Sequence, residues 1–289
     1  MNYFIVTTPL QYLNVLNIDV VGKRCVLILG GFCNSEQFYN DIVVKNNLWD
    51  LYKYFEKYNL LYQYVIQNVT NEDKLFIDSD YGIITNNKLR KVKSKEIYVY
   101  EEGVGSYRSD LISKNRSWLK KNILKIFGNK EFFGGSKFVK GIYVYDHEKH
   151  INKVPDFDKE RLHFKNPFSV QVERNISNFL STDLIEKYRS LIRNRDVLLY
   201  ITSWSYNVEI ENYILKKNQG AEKKIIILKP HPHFKDFDKI QIQFDDVVKG
   251  EILVEMLFIL LKEYSKDFVV LHENSSALQY YSSIKNISF

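Results

Sequence analysis

Three short patches carry residue types that can do group-transfer chemistry: Glu101-Glu102-Gly103, Lys229-Pro230-His231-Pro232 and Asn274-Ser275-Ser276. They supply a carboxylate pair, an imidazole beside a lysine, and a hydroxyl pair. Each follows an apolar, strand-like run, so each puts polar chemistry where a buried strand would stop. Neighbouring strand residues face opposite ways, so Glu101 and Glu102 are expected to do different jobs. A carboxylate in such a place can take a hydroxyl proton as a general base, and Gly103 and Gly105 permit a tight turn and close approach of a substrate. The competing reading is an acidic, solvent-exposed turn.

Two prolines restrict the backbone around His231, which gives its imidazole a limited direction. That group can protonate a leaving oxygen or hold a phosphate, and Lys229 can meet an anion. A solvated loop histidine is the plainer alternative, with His233 a less rigid competitor. Hydroxyls and backbone N–H groups at a helix start bind phosphate, and Ser275-Ser276 opens a predicted helix over 276–281. Simple capping by Ser275 explains the same residues. Thr202-Ser203-Trp204 ends another apolar run, where Trp204 either stacks on a sugar or base or belongs to the core. Glu209 and Glu211 read as a solvated helix face. Glu255 sits among Val254, Met256, Leu257 and Phe258, where it accepts ribose hydroxyls or simply complements a helix N-terminus.

These patches need a scaffold of strands and helices. A length of 289 residues fits two domains of roughly 130–150 residues each. Strands are predicted at Tyr3–Thr7, Arg24–Gly30, Lys74–Ile77, Tyr81–Thr85, Glu96–Tyr100, Lys140–Tyr145, Asp196–Thr202, Lys223–Lys229, Phe268–Leu271 and Asn286–Phe289. Segments 37–45 and 48–58 read as helical or mixed. Helices are predicted from Pro9 to Asn17, with Thr8 as N-cap, and at 181–193, 208–217 and 251–264. The polar stretch 147–170 places a domain boundary, giving an N-terminal domain 1–155 and a C-terminal domain 156–289. Alternating strands and helices predict an α/β protein of two doubly wound, Rossmann-like domains, with ligand sites beyond the carboxyl ends of parallel strands.

Composition narrows the partners. The 21 Tyr and 19 Phe accompany abundant Lys, Asn and Ile, the drift of an AT-rich genome rather than a stacking surface. A net charge of +6 without a basic tail or RNA-binding motif argues against nucleic acid. Cys25 lies in an apolar run and reads as a core thiol; Cys25 and Cys33 have no zinc spacing and imply no disulfide framework, so a cytoplasmic protein is expected. Asp78-Ser79-Asp80 has the spacing of a metal motif but reads as a turn. Segment 118–130 is a basic amphipathic helix that is either an ordinary surface helix, the reading favoured here, or a peripheral contact with the inner face of the membrane near a lipid-linked acceptor.

In this order the acidic-acidic-Gly, His-Pro and Ser-Ser patches resemble those of bacterial sialyltransferases, including the polysialyltransferases. Thr7-Thr8-Pro9-Leu10-Gln11 is similar to the start of the lipooligosaccharide sialyltransferase family. The resemblance covers nearly the whole chain as ordered motifs. It implies the GT-B fold with the active site in the cleft between two domains. It also implies inverting transfer of sialic acid from CMP-sialic acid to a hydroxyl of a surface glycan (capsule, O-antigen or lipooligosaccharide), with no metal and no cofactor. By the same resemblance Glu102 is the base with Glu101 in support, and His231 acts on the CMP phosphate. Ser275 and Ser276 bind that phosphate, and Lys229 contacts the nucleotide. Glu255 meets the ribose, and Trp204 the sugar. Thr8, Gln11, Gly103, Pro232 and Asn274 complete the substrate-binding set. Two departures stand out. Some members place the base nearer the His-Pro patch, which keeps Glu209 as an alternative. Relatives continue past the Ser-Ser patch, so the chain reads as either compact or truncated after Phe289. Other readings are transfer of another CMP-activated nonulosonic acid (Kdo, legionaminic or pseudaminic acid) and a non-catalytic nucleotide-sugar or glycan-binding module.

Overall fold

The computed structural model describes every residue except 33, 115–116, 220–222, 232–233, 235, 251 and 274. Cys33, His233, Pro232 and Asn274, named above, therefore lie outside the described residues. The chain divides into two compact units, Met1–Gln171 and Val172–Phe289.

The first unit is built on a fully parallel sheet of β1 (Asn2–Val6), β2 (Arg24–Leu29), β3 (Leu51–Phe55), β4 (Lys74–Ile77), β5 (Glu96–Tyr100), β6 (Gly141–Val144) and β7 (Glu160–His163). Its order is β3-β2-β1-β4-β5-β6-β7. Helices α1 (Pro9–Leu16), α2 (Ser35–Phe38), α3 (Tyr58–Asn68), α4 (Ile83–Leu89), α5 (Trp118–Ile126) and α6 (His147–Lys153) fall between the strands. Parallel strands buried on both faces need near-continuous apolar runs, and Tyr3-Phe4-Ile5-Val6 and Cys25-Val26-Leu27-Ile28 supply them. On the sheet, the Phe4 and Phe76 rings stack at 4.5 Å and Trp49 meets Phe4 edge-on at 5.3 Å. Cys25 is fully buried, as expected, and burial pushes its thiol up to about 12.

Helix α7 (Phe168–Phe179) spans the division between units. The second unit holds α8 (Thr182–Ile192), α9 (Val208–Lys217) and α10 (Val254–Tyr264). Its parallel sheet comprises β8 (Asp196–Ile201), β9 (Ile225–Lys229), β10 (Asp246–Val247), β11 (Asp267–His272) and β12 (Asn286–Ser288), in the order β10-β9-β8-β11-β12. Its core gathers Leu198, Tyr200, Ile210, Ile214, Ile226, Leu228 and Leu271.

Several local expectations change. Polar segment 147–170, read as the boundary region, carries α6 and adds β7 to the edge of the first sheet. Segment 51–55, within the stretch read as helical or mixed, is a strand. Segment 81–85 is not a strand: a bend at Gly82 leads into α4. The helix expected at 276–281 is a 3-10 turn over Ser276–Tyr280.

In each sheet the first strand has its successor on one side and a later strand on the other. The chain directions diverge at β1/β4 and at β8/β11. Such switch points leave a crevice beyond the carboxyl ends of the strands.

Candidate active site

At the first switch point, Thr8 caps α1 by accepting the Gln11 N–H at 3.2 Å, with Pro9 at the first helical position. This start buries the Gln11 side chain beside the strand ends. Its Oε1 accepts the Thr7 N–H at 2.7 Å, and its Nε2 donates to Asp78 Oδ2 at 3.2 Å. The Thr7 hydroxyl lies 3.3 Å from the same oxygen. Thr7, Gln11 and Asp78 thus tie the end of β1 to the end of β4. Burial raises the Asp78 carboxyl above the usual carboxylate range, and the Gln11 and Thr7 contacts pull it back. Sequence reasoning set Asp78 aside with Asp80, although an acid directly after an apolar strand was the signal used for Glu101. Asp80 plays another part, buried and accepting the Gly134 and Ser136 N–H groups at 2.8 and 2.7 Å.

One strand further along, β5 ends in the glutamate pair. Glu101 is fully buried, and its Oε2 accepts the Tyr107 hydroxyl at 2.5 Å and the Tyr145 N–H at 2.8 Å. Burial raises its carboxyl to about 7, against the pull of the Tyr107 hydrogen bond. Glu102 points the other way, as strand alternation predicts, and is solvent-exposed. Packed protein around it still weakens its hydration, and this effect first, then the negative charge of Asp78, raises its carboxyl to about 7. Between them and Tyr107 stands Gly103, with φ +125°, a conformation side chains disfavour. The 3-10 turn Val104–Tyr107 then returns Tyr107 to Glu101, and the Glu102 N–H donates to Ser106 Oγ at 2.9 Å.

The second unit positions its groups in the same way. Past β8, Thr202 Oγ1 accepts the His231 N–H at 2.8 Å, linking the ends of β8 and β9. The Trp204 ring stacks on the His231 ring at 5.3 Å and 28°. Trp204 is 69% exposed, so it is not the core aromatic its sequence context suggested. Lys229 lies below this surface, and its Nζ donates to the Lys249 and Gly250 carbonyls at 3.1 and 3.2 Å. Glu255 opens α10 and is also buried. Desolvation raises its carboxyl to about 7, and the Lys229 charge partly offsets that rise.

Beyond β11, Ser275 Oγ accepts the Ala277 N–H at 3.4 Å, and the Ser275 N–H donates to His272 Nδ1 at 3.2 Å. Ser276 is exposed. A 3-10 turn, not a long helix, follows these serines. Glu209 is exposed, as expected. Glu211 is not: it is buried and accepts the Gln241 and Ile242 N–H groups, both at 2.6 Å. Among the described residues, no group of three or more His, Cys, Asp or Glu side chains is arranged to hold a metal ion.

Two parallel, doubly wound sheets, each with polar groups beyond its strand ends, define the GT-B class of fold. Solved structures bear this out across the whole chain. The α/β-galactoside α-2,3-sialyltransferase of the luminous marine bacterium Photobacterium phosphoreum matches with a TM-score of 0.59 and 13% identity, over 99% of this chain and 88% of that one. The wall teichoic acid polymerase TagF matches with a TM-score of 0.57 and 9% identity, over 100% and 69%. The UDP-GlcNAc 2-epimerase of Methanocaldococcus jannaschii matches with a TM-score of 0.55 and 13% identity, over 100% and 83%. At these identities the likeness is one of fold. No protein-family model and no curated protein matches the sequence.

Proposed function

We propose that this chain is an inverting, metal-independent glycosyltransferase that moves sialic acid from CMP-sialic acid to a hydroxyl of a bacterial surface glycan. The observation that carries the reading is the division of labour at β5. Glu101 is locked into the protein, whereas Glu102 stands exposed beside the switch point with a carboxyl near neutrality. A base poised there removes a proton from an acceptor hydroxyl with little penalty. The ordered sequence patches and the fold shared with a sialyltransferase support the choice of reaction.

In this reaction the acceptor oxygen attacks the anomeric carbon from the face opposite CMP, and its proton passes to Glu102. The bond from that carbon to the phosphate oxygen breaks. Charge then develops on the CMP phosphate, where His231 and the hydroxyls of Ser275 and Ser276 meet it. Trp204, stacked on His231, gives that imidazole an apolar wall. Lys229 donates to the Lys249 and Gly250 carbonyls and Glu255 is buried, so both take supporting roles beneath the phosphate site in place of the nucleotide and ribose contacts that the resemblance implies.

Glu102→Gln and His231→Ala should each lower transfer by about two to four orders of magnitude. Near-wild-type rates in both would sink the reading. The same chemistry serves another CMP-activated nonulosonic acid, and a panel of CMP donors with product detection by mass spectrometry separates these. Donor binding without transfer or hydrolysis would instead mark a binding module.

A further inference from the structure

A surface helix of a globular protein normally turns its apolar face inward. Helix α5 does the reverse. Leu124 is its buried residue, while Trp118, Leu119 and Ile126 are 75%, 62% and 81% exposed, and Ile123 and Phe127 are exposed with them. At 3.6 residues per turn these five side chains occupy one half of the circumference, interrupted by Asn122, and Leu124 lies on the other side. Lys125 borders the apolar arc along one margin and Lys120 along the other. No Asp or Glu occurs from Leu111 to Lys130, a stretch that also holds Lys114, Lys121 and Lys130; Glu131 follows, 3.9 Å from the Lys125 ammonium, and leaves the basic excess in place. Exposed apolar clusters of this kind mark interaction sites.

From this arrangement we infer that α5 lies on an anionic lipid bilayer, its apolar arc in the headgroup–acyl boundary and its lysines on the lipid phosphates. Charge selects this occupant. A second copy of the chain would set lysines against lysines, whereas an anionic bilayer satisfies both the apolar arc and its basic margins. The Trp118 indole stands at the edge of the arc, where an amphipathic ring suits the interface. None of the described helices is long and apolar enough to cross a membrane, so α5 lies on the bilayer without spanning it. The surface does not depend on the transferase reading.

Flotation of the full chain with phosphatidylcholine vesicles containing phosphatidylglycerol tests the inference, with pure phosphatidylcholine vesicles as control. Wild type should float with the anionic vesicles and be released by salt. Lys120→Glu/Lys125→Glu and Leu119→Ser/Ile126→Ser should each bind roughly tenfold more weakly. Bromolipid quenching of wild-type fluorescence, compared with Trp118→Phe, should report Trp118 at the interface even if a double variant folds poorly. Wild type that stays at the bottom of the gradient overturns the inference. So does flotation that all variants share, or a solution dimer that Ile126→Ser dissociates.

Discussion

The Tyr107 hydroxyl lies 2.5 Å from Glu101 Oε2, and this bond gives two adjacent glutamates separate roles. It closes the loop 101–107 on itself and, through the Tyr145 N–H, onto the end of β6. Glu101 therefore holds the turn from which Glu102 projects. Tyr107→Phe should cost about 1–3 kcal/mol, since it removes a buried hydrogen bond to a carboxyl. Urea unfolding at pH 8 measures this. Because the bond favours the ionised carboxylate, its loss should also raise the Glu101 titration further above 7. An unchanged urea midpoint would show that the turn is held by other contacts.

Glu102 and Asp78 stand at the ends of neighbouring strands, and each carries the same charge. The base proposed above must be ionised to act, so with Glu102 in that role kcat/KM should rise with pH and level off above about 7. In Asp78→Asn the like charge is gone, and the rising limb should move to lower pH. Glu102→Gln should abolish the limb with the activity. An acid limb unmoved in Asp78→Asn would mean that the two carboxylates titrate independently.

The parts of this site that could be read from sequence are those set by local period and strand ends. The runs 24–29, 96–100 and 196–201 are apolar enough to require burial on both faces, and the polar residues after them mark the carboxyl ends. Thr8 and Pro9 fix the start of α1. What was hidden depends on partners far along the chain. Glu211 looks solvated until Gln241 and Ile242 donate to it, and strand alternation separates Glu101 from Glu102 without saying which is buried until Tyr107 and Tyr145 reach Glu101. The amphipathic pattern of 118–127 was plain, but sequence cannot say which half faces the protein. The edge strand β7 was missed because it is short and pairs on one side, which relaxes the need for an apolar run.

His231 is held from two directions, by Thr202 on its backbone and by the Trp204 ring on its imidazole. Removing the ring leaves the backbone anchor but takes away the stacking surface against the imidazole. Trp204→Ala should raise KM for the proposed CMP donor about three- to tenfold, matching a ring contact worth roughly 0.5–1.5 kcal/mol, and Trp204→Phe should recover most of it. Initial rates against donor concentration measure both. Equal losses in the two variants would point to a role for the indole N–H instead of stacking.

Glu255 gives the clearest link between protonation and stability. Its carboxyl rises from 4.5 to about 7 on folding, because burial penalises its charge more than Lys229 compensates. The folded chain thus holds a proton that the unfolded chain releases between those values. Its contribution to stability is fully present below about pH 4.5 and falls as pH rises to about 7. Above that it stays low, with a buried charge in place. Glu255→Gln keeps the shape and removes the titration, so relative to wild type it should gain roughly 1–3 kcal/mol on going from pH 5 to pH 8. Denaturant unfolding of both proteins at the two pH values reads this difference directly. A variant whose offset from wild type is the same at both would show that Glu255 remains ionised throughout, with the Lys229 ammonium as its full counter-charge.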